Sequence, residues 1–495
     1  MGTGNQKPLW GCGPLMRRRR FLQTAGATGA GAAGAVAAAG GLDLLGLRGS
    51  GLPGSLLGGE PRPPGKPTIG VVFIRPGKPV VVSWPGGNCD TAAQQALFAK
   101  TLREAAGKLD VELKIHEKPL IDAGEVGTWL EGLKAAPPDG LVVCGMELFG
   151  GWEQVTRILA NRGDVPTVVY SNLSGFTGNM QALGSTPGTY LGATQDVGWL
   201  ASALQMLAAI WRMKNTRILL VAGNEAGEAP AEGFGTVFRV VPRSRFEEEF
   251  RKVEVTEEVR AIADDYVRTA AKIVEPTKAD IVEAAKNYIV CRRVLEAEQC
   301  GAISIDCLGW QNPVCIAFSK LLDEGIPAGC EADRHAVLNQ LLARAVLGRP
   351  GFIQDPSPNT VNNTLIGSHC TSPIRLEGPD RPYRAPFWIR NYHTCTGASL
   401  QVLWPEGKDV TVIEFTGPRK LAIGTGRVRS NIAQPPSGCC RTAVEIELYG
   451  VTDSRDQVDS RTAKGFHQIF VLGNHGRTLK AWCQLAGVAV EPLCA

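Results

Sequence analysis

The sequence predicts two doubly wound, Rossmann- or flavodoxin-like α/β domains followed by an antiparallel β-rich domain, and two observations carry that prediction. Between Thr68 and Pro356, short apolar runs rich in Val and Ile alternate with helical stretches of about 10–15 residues, the spacing of βαβ units on a parallel sheet. Beyond Pro356, Thr and Val recur in short alternating segments separated by turn residues, as in an antiparallel sheet or barrel. The corresponding segments are 1–45 (leader), 46–67 (linker), 68–215 and 216–360 (α/β), and 361–495 (β-rich).

Each element has its own signal. Thr68–Ile74 is a β-rich run, Thr91–Lys108 has apolar residues at helical spacing, and Val111–His116 alternates as a strand. A helix over Val126–Ala136 is followed by the punctuation Pro138-Asp139-Gly140 and the apolar strand Leu141–Cys144. Helix Trp152–Arg162 and strand Pro166–Tyr170 continue the cycle. A second cycle opens with strands Ile218–Ala222 and Val237–Val241, then a charged helical region from Phe246 to Ala297. The block Ile303–Pro356 reads as strand, helix, short strand, long helix and a third strand. The β-rich part offers strands at Leu400–Leu403, Val410–Phe415, Lys420–Thr425 and Ala443–Leu448, with a closing helix over Thr478–Ala486.

Composition narrows the class. A chain of 495 residues with 44% hydrophobic and 20% charged content has ample core for two or three domains. The net charge is only +4 and Arg17–Arg20 account for four basic residues, so the body gives no support to a nucleic-acid partner. No apolar run reaches the ~20 residues of a membrane span. Arg17-Arg18-Arg19-Arg20-Phe21-Leu22-Gln23 before an Ala/Gly-rich tract resembles a twin-arginine export signal, with translation starting at Met1 or Met16. That leader implies the export machinery as a partner and a periplasmic or secreted location; the alternative is a basic tail on a cytoplasmic protein. Thirteen of the 14 cysteines lie beyond the leader, an odd number with no CxxC pair, which argues against a disulfide framework or a zinc ribbon. Cys439, Cys440, Cys483 and Cys494 are the disulfide candidates in an exported chain.

Chemistry concentrates in the central block and beyond it. Five of the six histidines fall between His335 and His475. Glu331 and Asp333 stand where a buried strand gives way to the long helix, the place where open α/β sheets bind ligands. In an extended segment the two acids face one side; at a helix start they cap free N–H groups instead. Carboxylates combined with an imidazole such as His467, which opens an apolar strand, suit Mn²⁺, Mg²⁺ or Fe²⁺ better than a closed structural zinc site. His369, His393, His335 and Trp310 are the candidate substrate contacts, and His475 reads as a turn residue.

These residues carry a family resemblance. Asp323-Glu324-Gly325-Ile326-Pro327-Ala328-Gly329-Cys330-Glu331-Ala332-Asp333, followed by Gly348-Arg349-Pro350, resembles a DEGIPxxCExD segment and TGRP turn of the L-fucose/L-arabinose isomerase-like family. Ser368-His369-Cys370-Thr371-Ser372-Pro373 is similar to its AHCTxP motif, and Gly465-Phe466-His467 through His475 to its C-terminal strand. The resemblance implies a fucose isomerase-like fold and aldose–ketose isomerisation of a small sugar through a metal-bound enediol. It further implies two carboxylates moving a proton between C1 and C2, and a homo-oligomer. On that resemblance Asp333 and His467 are the metal ligands, with Glu331 secondary. The family's other acid is expected just after Asp306, where this chain reads Cys307-Leu308-Gly309-Trp310, so Asp306 stands in as ligand and catalytic acid. The rival expectation is an exported carbohydrate-binding or sensing protein of the same fold without catalysis. A two-lobed binding-protein-like receptor is a third, opposed by the β-rich C-terminal part.

Overall fold

The structure is a computed structural model that describes residues 65–75, 77, 80–82, 88–146, 152–172, 186–308, 310, 313–434, 438–457 and 467–493. The leader and linker lie outside these residues, and Leu308 and Trp310 fall in a compact unit separate from the body formed by 66–307 and 311–495.

The first sheet comprises β1 (Thr68–Ile74), β2 (Glu112–Ile115), β3 (Gly140–Gly145), β4 (Thr167–Ser171) and β5 (Thr189–Ala193). Its order is β2-β1-β3-β4-β5 and every pairing is parallel, the flavodoxin-like arrangement. Strand β3 is buried along its whole length, as a strand covered on both faces must be. Helices α1 (Thr91–Leu109), α2 (Ala123–Ala135), α3 (Trp152–Asn161) and α4 (Trp199–Asn215) supply the cover. Asp90 and Asp122 start α1 and α2 by accepting backbone N–H groups of the first turn. Strand β5 and helix α4 escaped the sequence reading. Helix α4 is apolar on most of its circumference, because it lies between layers and contributes Leu200, Leu204, Leu207 and Met213 to the central core.

The second sheet holds β6 (Arg217–Val221), β7 (Gly227–Pro230), β8 (Val237–Val241), β9 (Ala302–Ile305) and β10 (Ala328–Cys330) in the order β10-β9-β6-β8-β7. All neighbours are parallel except the edge strand β7. The charged region that reads as continuous helix is α5 (Arg243–Lys252), α6 (Glu257–Thr269) and α7 (Lys278–Ala297), the last opened by a Thr277/Asp280 capping box. Helix α8 (Cys315–Asp323) and helix α9 (Arg334–Leu342) flank β10, and α9 runs through a π-helical turn to Gly348 at φ 67°. Gly329 lets α9 approach β10 closely, since a Cβ there would lie 3.1 Å from the Val337 side chain.

The third strand of the central block belongs elsewhere than expected. β11 (Phe352–Asn359) joins β12 (Thr364–His369), β15 (Asp409–Gly417), β16 (Lys420–Asn431), β17 (Thr442–Leu448) and β18 (Gln468–Leu472) in an antiparallel sheet. The order β15-β18-β11-β12-β17-β16 closes through a β15–β16 pairing, giving a six-stranded barrel. The short pair β13 (Phe387–Arg390) and β14 (Ser399–Val402) forms a separate sheet with Lys272–Ile273. Helix α10 (Gly476–Ala486) and strand β19 (Ala489–Pro492) pack on the barrel wall. Strand alternation sorts the barrel residues: Phe352, Val410, Val412 and Phe470 enter one core cluster, while Ile353, Ile413, Ile469 and Val471 join the α/β core. Among the described residues no helix is long and apolar enough to cross a membrane.

Candidate metal centre

Three pieces of chain meet where β10 ends. The first is the turn after Cys330. Glu331 and Ala332 both adopt left-handed backbone, at φ 62° and 53°, a conformation costing a non-glycine residue about 1 kcal/mol or more. The Ala332 amide is tied to the Ile305 carbonyl of β9 at 3.0 Å, which helps hold the turn. This reversal rules out the extended geometry in which Glu331 and Asp333 share a face. Asp333 instead caps α9, accepting the Ala336 N–H at 3.0 Å.

The second and third pieces come from the barrel. Gln354 pairs with Gln468 in the β11–β18 ladder, so Asp355 comes opposite His467 one step further along. Asp355 also pairs with Ser368 of β12, which ends at His369. Antiparallel register therefore gathers Asp355, His369 and His467 at one end of the barrel, against the turn that carries Glu331.

The geometry is tight. Glu331, His369 and His467 form one group whose ligand atoms lie within 4.8 Å of one another. His467 Nε2 is 3.4 Å from Asp355 Oδ1 and 3.9 Å from Glu331 Oε2, while its Nδ1 is 2.9 Å from Asp333 Oδ2. His369 Nε2 is 3.5 Å from Glu331 Oε1, and the two imidazoles meet edge to face at 5.2 Å. The His467 side chain is fully buried, whereas Asp333 and Asp355 keep 15% and 17% exposure.

The electrostatics follow from this crowding. Burial pushes the Asp333 carboxyl up, but the His467 hydrogen bond and charge and the Ala336 amide hold it below the usual range. Burial would lower the His369 pKa, yet Glu331, Cys440 and Asp355 push it up to about 9. Three carboxylates thus face two imidazoles, an excess of negative charge that a divalent cation would balance. Two carboxylates with an imidazole are a donor set suited to Mn²⁺ or Mg²⁺. The residues present fit such an ion.

Roles are redistributed relative to the sequence reading. Glu331, expected to be secondary, is in the centre. Asp333, expected to be the leading ligand, is a helix cap that orients His467 through Nδ1. Asp306 stays outside the ligating groups among the described residues; its amide is bound to the Val221 carbonyl beyond the end of β9. A further acid beside the centre is Asp355, which sequence reasoning missed; its one signal is a carboxylate inside a β run, Phe352-Ile353-Gln354-Asp355. His369 is in the centre, His335 sits on the first turn of α9, and His393 belongs to a second cluster with Cys370 and Cys440. Trp310 lies in the separate unit with Leu308. His475 donates to the Leu472 carbonyl at 2.9 Å as a turn residue. Cys439, Cys440 and Cys483 carry free thiols against the disulfide expectation, Cys395 is disulfide-bonded, and Cys494 lies outside the described residues. A cleft of about 810 Å³, lined by Lys114, His116, Glu125 and Trp129, lies on the first α/β sheet and includes none of these groups.

Fold and centre together define a mixed α/β and β-barrel protein with a buried carboxylate–imidazole site of metal-ligating type. No family model matches the chain, and no curated protein matches it. Among solved structures, a sugar ABC transporter (sugar-binding protein) from Bacillus halodurans is similar at 14% identity and TM-score 0.18, over 59% of this chain and 91% of that one. A likeness of that size carries no argument about fold or function.

Proposed function

We propose that the protein is a divalent-metal-dependent, aldose–ketose isomerase-like enzyme acting on a small sugar, with Glu331, Asp355 and His467 holding the ion and His369 facing the substrate. The observation that carries this reading is the approach of two carboxylates, Glu331 and Asp355, to one nitrogen of His467. Enediol chemistry needs a pair of groups that give and take protons on neighbouring carbons. A bound divalent ion would supply the positive charge that makes the proton on C2 removable. One carboxylate takes the C2 proton while O1 gains one, and the enediol then receives a proton at C1 as O2 loses its own. Hydrogen thereby moves from C2 and O2 to C1 and O1. Asp333 keeps the His467 proton on Nδ1, which leaves the Nε2 lone pair facing the carboxylates.

The same reading extends to export through the twin-arginine-like leader and to assembly as a homo-oligomer, both resting on sequence and resemblance. The test of function is a panel of aldoses incubated with the purified full chain and Mn²⁺, with ketose as the readout. Ketose formation lost in both Glu331→Gln and Asp355→Asn supports the proposal. Sugar and metal binding without any ketose would replace it with a non-catalytic carbohydrate-binding protein.

A further inference from the structure

We infer that the chain carries a second, structural metal site of the Cys₃His type, formed by Cys315, Cys370, His393 and Cys440, with Zn²⁺ as its ion. The ligand atoms of Cys370, His393 and Cys440 lie within 4.8 Å of one another, and Cys370 Sγ is 3.6 Å from His393 Nδ1. Zinc–sulfur and zinc–nitrogen bonds of about 2.3 and 2.0 Å give a tetrahedron whose edges are about 3.5–3.8 Å. The observed separation already matches such an edge. Cys315 stands next to this group: Cys315, Cys370 and Tyr392 pack as one buried cluster with Cys440 against it.

The surroundings are built for this set. Register brings two ligands near each other: His369 pairs with Thr442 in the β12–β17 ladder, so one step further Cys370 comes opposite Arg441, the residue next to Cys440. Cys315 is the first residue of α8, which places its thiol at the start of that helix. The loop after β13 delivers His393, whose ring lies against that of Tyr392 at 3.8 Å between centroids and a tilt of 40°. Arg441 is fully buried next to Cys440 and donates from Nε to the Asn391 carbonyl and from Nη2 to Asn391 Oδ1, both at 2.7 Å, and to the Tyr392 carbonyl at 3.1 Å. It clamps the strand bearing Cys440 to the loop bearing His393 and sets a cation beside the thiols. Three converging thiols cannot all be consumed by one disulfide, whereas with the imidazole they complete a four-ligand set that leaves no open position.

The site would join α8, the barrel and the β13–β14 loop at a single point. Cys370 directly follows His369, so an ion here would fix the strand end that serves the carboxylate centre. The proposal stands without the isomerase reading, because its ligands are separate residues.

The test uses the full chain, reduced, with one equivalent of Zn²⁺, followed by zinc-edge X-ray absorption and competition with a chromophoric chelator. The expected first shell is three sulfurs at about 2.3 Å and one nitrogen at about 2.0 Å. Cys440→Ser and His393→Ala should each weaken zinc binding by more than the about 10-fold minimum seen when only a partner of a ligand is lost, and Glu331→Gln should leave the sulfur shell unchanged. A shell of nitrogen and oxygen alone, or no retained zinc, overturns the proposal. So does a Cys370–Cys440 disulfide that persists in the reduced, zinc-treated protein, seen as a mass lower by two hydrogens.

Discussion

Replacing Asp333 by Asn separates a residue that orients a ligand from one that is a ligand. One Asp333 oxygen accepts the Ala336 N–H at 3.0 Å and the other meets His467 Nδ1 at 2.9 Å. Asn caps a helix about as well as Asp, so the start of α9 should survive. The amide then presents N–H₂ to the imidazole, which can satisfy it only by accepting at Nδ1 and carrying its proton on Nε2. That proton occupies the lone pair aimed at Glu331 and Asp355, and reversing it means turning the amide and giving up the cap. Loss of such an orienting partner costs about 10–100-fold in metal affinity, or about 1.4–2.7 kcal/mol. Calorimetric titration of the purified chain with Mn²⁺ measures it directly, alongside Glu331→Gln. An intermediate loss in Asp333→Asn, with near-complete loss in Glu331→Gln, is the expected pattern. Equal loss in the two would make Asp333 a ligand, and wild-type affinity would show that Asp333 does not set the His467 tautomer.

Three further outcomes follow from particular contacts. Saturation with Mn²⁺ at 100 times its dissociation constant should raise stability by about 2.7 kcal/mol in thermal or denaturant unfolding, and this gain should vanish in Asp355→Asn. Asp323 is buried and accepts the Ile374 and Arg375 N–H groups at 2.8 and 2.7 Å, and burial pushes its carboxyl up to about 6 from 3.8. The folded state then holds the proton more tightly than the unfolded one, so stability is greatest below pH 3.8 for this group and falls by about 3 kcal/mol as pH rises through 6. Urea midpoints across that window should lose this slope in Asp323→Asn; an unchanged slope would assign it to other groups. A Cβ on Gly426 would lie 2.2 Å from the Glu447 carbonyl oxygen, so Gly426→Ala should force β16 from β17 and cost about 1–3 kcal/mol in chemical denaturation.

The alternation of apolar runs and helices in the first 350 residues is a local property of the chain, and it read correctly as parallel α/β layers. Helix α4 did not register, because a helix covered on nearly every side loses the amphipathic stripe that marks it. The boundary near Pro356 was misplaced because a strand's sequence does not say which sheet it joins; β11 belongs to the barrel by virtue of its partners β12 and β18. The candidate centre was half legible. Acids at a strand end and a histidine opening an apolar strand drew attention to Glu331, Asp333 and His467, but their roles depend on backbone direction. Two left-handed residues turn Glu331 inward and leave Asp333 to the helix start and His467. Asp355 carried only a weak signal and the thiol cluster none, for a related reason: their partners lie tens of residues away and are brought close by the tertiary fold. The sequence alone therefore determined the layer types and the residue types available for chemistry, both of which depend on local composition and period. Tertiary structure decided which side chains meet, because strand pairing and a single reversed turn choose among distant partners that no local pattern ranks.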